Sequence, residues 1–218
     1  NQQNRWAKGS TQVCLKLLVP ILRSDLPRRI KTEVFFHLTA NFAYPLMILL
    51  PLILVPAMIV RFHQGLAEML FMDLPIFLAS TVSVALFYIQ SQKALYPDWR
   101  ERVRLLPFLM ALGIGLSVTN GKAVIEALLG IKSSFVRTPK FHVTTRRDKW
   151  FSKKYRGKLG FWPLLESAFG VYFLWVIFYS FDIGNYGVVP FLLLFVVGYF
   201  YTGFSSLFHN LLKFPFVD

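Results

Sequence analysis

Residues 131–160 read IKSSFVRTPKFHVTTRRDKWFSKKYRGKLG and form a dense basic segment. They hold ten Lys or Arg residues and one acid, Asp148, and so carry +9 of the formal net charge of +13. Long apolar runs lie on both sides of them. In membrane proteins, positive segments between apolar runs stay in the cytoplasm. The stretch therefore predicts a membrane protein with a cytosolic loop, and its charge alone is typical of a loop that sets topology beside anionic headgroups.

The composition of the whole chain also indicates a membrane protein. Its 218 residues are 55% hydrophobic and only 16% charged, whereas soluble domains carry about a quarter charged residues. The basic residues sit at the ends of apolar runs, which favours membrane topology over nucleic-acid binding. The single cysteine, Cys14, excludes an intrachain disulfide, and we interpret it as a small apolar filler. The four histidines are scattered and lack metal-ligand spacing.

Four apolar runs predict transmembrane helices in an all-α polytopic domain. They cover residues 33–60, 74–92, 161–181 and 188–208. The first contains about 19 consecutive residues without a charge, enough to cross roughly 30 Å of hydrocarbon. The turn at residues 182–187 has no Lys or Arg and is expected to be external.

Two further segments predict helices at the membrane surface. Residues 10–22 place apolar side chains at helical spacing, and we expect Ser10 to cap this helix. Residues 105–130 have an apolar part of about 14 residues, a length typical of re-entrant or interfacial segments rather than spans. An even number of spans before the basic loop agrees with an interfacial helix here, although a span stays an alternative.

Two short motifs carry functional information. Residues 2–6, QQNRW, read as Q-x-x-R-W directly before the first amphipathic helix. Residues 135–140, FVRTPK, match the pattern F-x-V-T-x-K at Phe135, Thr138 and Lys140, with Arg137 in place of Val. Residues 141–146, FHVTTR, are a second near-match that ends in Arg146. We favour the first because it follows the second interfacial helix directly.

The order of these motifs and helices resembles membrane-integrated family-2 glycosyltransferases, which include the cellulose, mannan and hyaluronan synthases. The resemblance covers essentially the whole chain. It implies that residues 1–9 end a cytosolic glycosyltransferase domain and that residues 10–130 hold two interfacial helices around two spans. Residues 131–160 would then be a cytosolic gating loop, and residues 161–218 the last two spans. We expect the chain to be the C-terminal part of a longer enzyme.

The resemblance also implies roles for individual residues. The catalytic aspartates and the ligands of a Mg²⁺ or Mn²⁺ ion would lie upstream, so no catalytic residue is expected here and this part alone should be inactive. An Arg suits a diphosphate leaving group, and a Trp offers a flat face to a pyranose ring. The expected substrate-binding residues are Gln2, Arg5, Trp6, Phe135, Thr138 and Lys140. Without that role, Trp6 would be an interface anchor and Arg5 a topogenic charge.

The implied function is polymerisation of a β-glycan from a nucleotide sugar and its passage across the membrane. The implied partners are the nucleotide-sugar donor, a growing glycan or lipid acceptor and the bilayer, with no nucleic acid. The location would be the plasma (inner) membrane. A non-processive enzyme acting on a lipid acceptor and a non-enzymatic scaffold are the alternatives. Some span aromatics are weak candidates to line a glycan path, although most such side chains pack or face lipid: Tyr172, Trp175, Tyr179, Tyr199 and Tyr201.

Overall fold

The computed structural model describes residues 2–132 and 161–211, and within these ranges all regular structure is helical. The helices are α1 Gln2–Arg23, α2 Arg28–Thr39, α3 Ala43–Gln64, α4 Leu66–Leu95, α5 Trp99–Val103, α6 Leu106–Gly115, α7 Ser117–Leu128, α8 Trp162–Asp182 and α9 Val189–Leu211. Short 3₁₀ turns precede α3, at Ala40–Phe42, and α9, at Tyr186–Val188. The prediction of an all-α protein is confirmed for this part of the chain.

Three helical stretches in the described ranges are long and apolar enough to cross a membrane. They are Arg28–Val60, Trp162–Asp182 and Tyr186–Phe208, and they correspond to the first, third and fourth predicted spans. The predicted second span lies within α4, which is not among the three. Helices α6 and α7 meet at 46° and add a fourth candidate if the bent pair crosses as one broken span. The chain is therefore a membrane protein with three or four candidate spans.

Helix α1 begins earlier than the sequence predicts. It is helical from Gln2, so Ser10 lies inside the helix, and the expectation that Ser10 caps it is wrong. Residues 2–9 contain no strong helix breaker apart from the modest cost of Gly9. Burial of Ala7 and Lys8 adds tertiary support to these first turns. The helix ends at Arg23, and the chain turns before α2.

The largest core lies between the α6–α7 pair, α8 and α9. Its aromatic centre is Tyr199, whose ring lies 5.3 Å from the Phe169 ring and 5.8 Å from the Phe173 ring, measured between centroids. Lipid is as apolar as these side chains, so close packing rather than the hydrophobic effect holds such helices together. The fully or largely buried members are Ile114, Val118, Phe173, Ile177, Val196 and Tyr199.

Small residues let α6 and α9 touch through their backbones. A side-chain carbon added at Gly198 would collide with the Ala111 carbonyl oxygen, and one added at Gly115 would collide with the Gly198 carbonyl oxygen. The Thr202 hydroxyl lies 3.2 Å from the Gly115 carbonyl oxygen and extends this contact. Both helices thus use the small-x-x-x-small spacing of close membrane helix pairs. This contact fixes α6, while α7 turns away at Leu116 toward α1.

Candidate functional site at the amino-terminal helix

The residues of the Q-x-x-R-W motif lie in the first two turns of α1. Gln2 and Trp6 are four positions apart in the sequence, which places them on one helical face. Both are exposed, and 61% of Trp6 is accessible. Arg5 is half-buried beside them. The three predicted amino-terminal residues therefore lie within two turns of one helix, and the ring of Trp6 is exposed.

The opposite side of α1 is fastened to α7 by polar contacts. The Asn4 amide nitrogen donates a 2.6 Å hydrogen bond to the Thr119 carbonyl oxygen. One turn later, the Lys8 ammonium lies 2.8 Å from a carboxylate oxygen of Glu126. Between these contacts Ala7 packs on α7 in a small apolar cluster, completed by Ala123, Val124, Phe42 and Tyr44. The orientation of the motif relative to the membrane helices is thus set by α7.

Glu126 also contacts a second cation. Lys122, one turn earlier on α7, lies 3.5 Å from the other Glu126 carboxylate oxygen. The same ammonium lies 4.6 Å from the centre of the Trp162 ring on α8, within cation–π range. We call Lys8, Lys122, Glu126 and Trp162 the Glu126 cluster. It links the first turns of α1 to α7 and to the beginning of α8.

Helix α7 ends where the basic loop begins. The Ile131 amide donates to the Glu126 carbonyl oxygen at 2.9 Å, and the Gly130 amide donates to the Ala127 carbonyl oxygen at 3.1 Å. Gly130 has a φ of +68°, so this is the glycine-dependent Schellman ending of a helix. The predicted gating residues Phe135, Thr138 and Lys140, and the alternative Arg146, lie outside the described residues. The basic loop that contains them begins at Ile131, five residues after Glu126.

The bend between α6 and α7 also assembles buried polar residues that the sequence analysis did not assign to a site. The Thr119 hydroxyl donates a 2.6 Å hydrogen bond to Glu166 Oε1 on α8, and Ser117 Oγ lies 3.1 Å from the Tyr199 hydroxyl. We call this group the α7 polar cluster: Ser117, Thr119, Glu166, Tyr199 and Thr202. The sequence does contain an indication of this cluster. Glu166 is the only charged residue of its apolar run before Asp182, and a charged residue in such a run is often functional.

The aromatic residues suggested for a glycan path do not form one continuous surface. Tyr199 is fully buried in the core, so it lines no open path in this conformation. Trp175 and Tyr201 are 53% and 61% exposed, as expected for side chains that face lipid. Trp175 stacks on Tyr179 with 5.9 Å between ring centroids, and Tyr172 lies beside Trp175. These positions agree with the alternative of packed or lipid-facing aromatics.

We also searched the described residues for a metal site and compared the chain with known proteins. Within the residues that the structure describes, no three His, Cys, Asp or Glu side chains come together to hold a metal ion. Comparisons with protein-family models, curated proteins and solved structures gave no match.

Proposed function

We propose that this chain is the membrane and gating part of a processive, inverting family-2 glycosyltransferase. In this proposal, the longer enzyme polymerises a β-glycan from a nucleotide sugar and passes it across the plasma (inner) membrane. One observation carries the proposal beyond the motif itself. The exposed Gln2 and Trp6 face belongs to a helix that is fastened to α7 through Asn4 and Lys8. Helix α7 leads in turn into the basic loop with the second motif.

Gln2, Arg5 and Trp6 have side chains of the kinds that glycosyl transfer uses. The acceptor hydroxyl attacks the anomeric carbon, and the nucleoside diphosphate leaves with the electrons of the broken bond. Arg5 would stabilise the charge that develops on the diphosphate, by paired hydrogen bonds from its guanidinium. Trp6 would hold the acceptor sugar by its flat face, and Gln2 would orient a hydroxyl. A base upstream of this chain would accept the proton, and a bound Mg²⁺ or Mn²⁺ would neutralise diphosphate charge.

The basic loop would complete the site by closing over the nucleotide. Thr138 and Lys140 are two positions apart, so in an extended loop they point to the same side and meet one diphosphate. Closure of this kind excludes water and holds the donor in place. Helix α1 is bound to α7, and the basic loop begins at the end of α7. In this proposal, α7 therefore positions both the Q-x-x-R-W motif and the gating loop.

A product analysis tests this proposal. The full-length protein would be reconstituted in liposomes with Mg²⁺ or Mn²⁺ and radiolabelled UDP-glucose, UDP-N-acetylglucosamine or GDP-mannose in turn. We expect one donor to give a long polymer that is resistant to organic extraction. A short product that extracts with lipid would instead assign the non-processive alternative. No transfer from any donor, by protein that is folded and inserted, would contradict a glycosyltransferase and favour a scaffold.

A further inference from the structure

The helices α1 and α2 pack side by side and leave an open groove between them. The groove has a volume of about 390 Å³, and small-molecule sites in proteins have about 300–1,000 Å³. Six of its eight lining residues are apolar, and the other two, Glu33 and His37, are exposed. Along α1 the groove extends over about 12 Å, because Ile21 follows Val13 by eight positions. The apolar lining residues are Val13, Leu17 and Ile21 of α1 and Ile30, Val34 and Leu38 of α2.

The candidate span that contains α2 is longer than the hydrocarbon layer is thick. It covers 33 residues, Arg28–Val60, which correspond to about 50 Å of helix, whereas the hydrocarbon layer is about 30 Å thick. The charge-free residues 42–60 alone are long enough to cross that layer. Helix α2 therefore extends into the headgroup region, on the face that the basic residues predict to be cytosolic. An apolar groove at this level meets water unless an amphipathic molecule covers it.

Basic residues are concentrated where α1 ends and α2 begins. Residues 16–33 hold five Lys or Arg residues and two acids, and so carry a net charge of +3. Arg29 and Lys31 are the sequence neighbours of Ile30, so they lie on either side of this groove residue, each about 100° around the helix. None of the five basic side chains has an ion-pair partner among the described residues. They are Lys16, Arg23, Arg28, Arg29 and Lys31.

The groove and its basic border together select an anionic lipid as the ligand. The length of the groove is close to half the thickness of the hydrocarbon layer, about 15 Å, which is the depth that an acyl chain of one leaflet covers. The unpaired cations attract the phosphate of an anionic headgroup. A free phosphate would satisfy the cations but leave the apolar groove uncovered, and a neutral lipid would do the reverse. The Glu33 carboxylate repels an anion, but the basic residues of this segment outnumber its acids.

We propose that the groove between α1 and α2 binds one anionic phospholipid from the cytosolic leaflet. One acyl chain lies along the apolar residues of the groove, and the phosphate lies between Arg29 and Lys31 at the beginning of α2. The lipid attaches the second half of α1 to α2, whereas Ala7 and Lys8 attach the first half of α1 to α7. This site is independent of the proposed enzymatic function.

Photocrosslinking of the full chain in phosphatidylcholine nanodiscs tests the site. The probe is a trace of phosphatidylglycerol with a diazirine near the end of one acyl chain, and the control probe carries the same chains on phosphatidylcholine. Mass spectrometry measures labelling of residues 13–21 and 30–38, and of residues 171–178 on the exposed side of α8. We expect the anionic probe to label the groove on the order of 10-fold more than the neutral probe, because two cations attract it. Equal labelling of the groove by both probes would overturn the proposal.

Matched charge variants separate a site from general attraction to a basic surface. The double variant Arg29→Gln, Lys31→Gln removes two charges beside the groove, and we expect it to remove most of the preference for the anionic probe. The double variant Arg100→Gln, Arg104→Gln removes two charges in and after α5 and should leave that preference unchanged. Equal losses from the two double variants would contradict a localised site.

A larger side chain in the groove tests the position of the acyl chain. Val34→Trp fills the groove without a change of charge and should reduce labelling by the anionic probe, and Leu17→Trp repeats the test from the opposite wall. Val171→Trp, on the exposed face of α8, is the control and should have no effect. Excess sn-glycerol 3-phosphate should not compete with the probe, because it has no acyl chain. Unchanged labelling in both groove variants, or competition by the free phosphate, would contradict the proposed lipid site.

Discussion

Lys8 and Glu126 are 118 positions apart in the sequence, and their side chains form an ion pair of 2.8 Å between the helices α1 and α7. The Lys8 side chain of this ion pair is only 9% exposed. Lys8 lies two residues after the exposed Trp6, and Glu126 lies five residues before Ile131, where the basic loop starts. The ion pair therefore connects α1, which holds the Q-x-x-R-W motif, to the helix that precedes the basic loop.

Reversing the charge of Glu126 should loosen α1 from α7. Glu126→Lys places a third cation beside Lys8 and Lys122, and we expect it to lower stability by about 1–3 kcal/mol, since breaking a largely buried pair leaves one charge uncompensated. Adding Lys8→Glu restores opposite charges at the same place and should recover much of the loss. The measurement is the thermal unfolding midpoint of each protein in nanodiscs, together with glycosyl transfer by the full-length enzyme.

The exposed pair Asp98 and Arg102 provides the control for this experiment. It has similar hydrogen-bond geometry, at 3.1 Å, but lies on the surface within α5 and its flank. Solvent screens such pairs, so Asp98→Asn should leave the midpoint essentially unchanged. If Glu126→Lys were as harmless as Asp98→Asn, the pair would not hold α1 in position.

The backbone contact between α6 and α9 predicts different outcomes for two glycines of the same region. Gly198→Ala adds a carbon that meets the Ala111 carbonyl oxygen, so the helices must separate, at a cost of about 1–3 kcal/mol. Gly113→Ala adds a carbon into open space and should be neutral or stabilising by up to about 1 kcal/mol, because alanine favours helix. Thermal unfolding of both variants in nanodiscs would measure this. Equal stability of the two variants would rule out the close contact.

The basic residues of α1 predict that this helix lies on the cytosolic face, and one introduced cysteine can test the prediction. Gln12 is exposed on α1, so Gln12→Cys should react with a membrane-impermeant maleimide in inverted vesicles but not in intact cells. Cys14 provides a low background in the same assay, because its 4% exposure hinders access and burial raises the pKa of its thiol. Rapid labelling of Gln12→Cys from outside the cell would contradict the predicted topology.

Local signals predicted much of the fold correctly. Long uncharged runs predicted helices at the first, third and fourth positions, and the structure has helices there that are long and apolar enough to be candidate spans. The polar residues Asn120 and Lys122 after a short apolar run correctly marked residues 105–130 as different from a straight span.

Other features depend on contacts between distant parts of the chain. Ser10 has the chemistry of a helix cap, but burial of Ala7 and Lys8 against α7 extends the helix past it, and the local pattern contains no sign of that burial. The pairing of Lys8 with Glu126 also could not be predicted from the sequence, because many other basic and acidic residues could have paired. The close approach of Gly198 to Ala111 likewise needs the packed helices. Glu166, in contrast, could have been selected as an acid in an apolar run.

The gating-loop prediction distinguishes two cations. If residues 135–140 form the gate, Lys140→Ala loses one charge-assisted contact to the diphosphate, worth about 1.5–3 kcal/mol. Turnover should then fall by a factor on the order of 10–150. Arg146→Ala is the matched variant, and it should carry the loss only if the second near-match is the gate. Near-normal turnover in both variants would make the loop a topology determinant alone.

We propose that Trp6 holds the acceptor sugar at a glycosyl-transfer site, and one substitution series tests this role most directly. Trp6→Ala removes the flat ring from an exposed position, so it should reduce polymer synthesis by the full-length enzyme at least about 100-fold, as expected when an acceptor is misplaced. Trp6→Phe keeps a smaller ring and should retain measurable synthesis.

Trp99→Ala, in the connector helix α5, is the control for loss of an aromatic side chain. The measurement is incorporation of radiolabelled sugar into polymer by equal amounts of membrane-inserted enzyme. We expect loss of synthesis in Trp6→Ala, partial synthesis in Trp6→Phe and normal synthesis in Trp99→Ala. Normal synthesis in Trp6→Ala would contradict this role and would leave Trp6 as an anchor at the membrane interface.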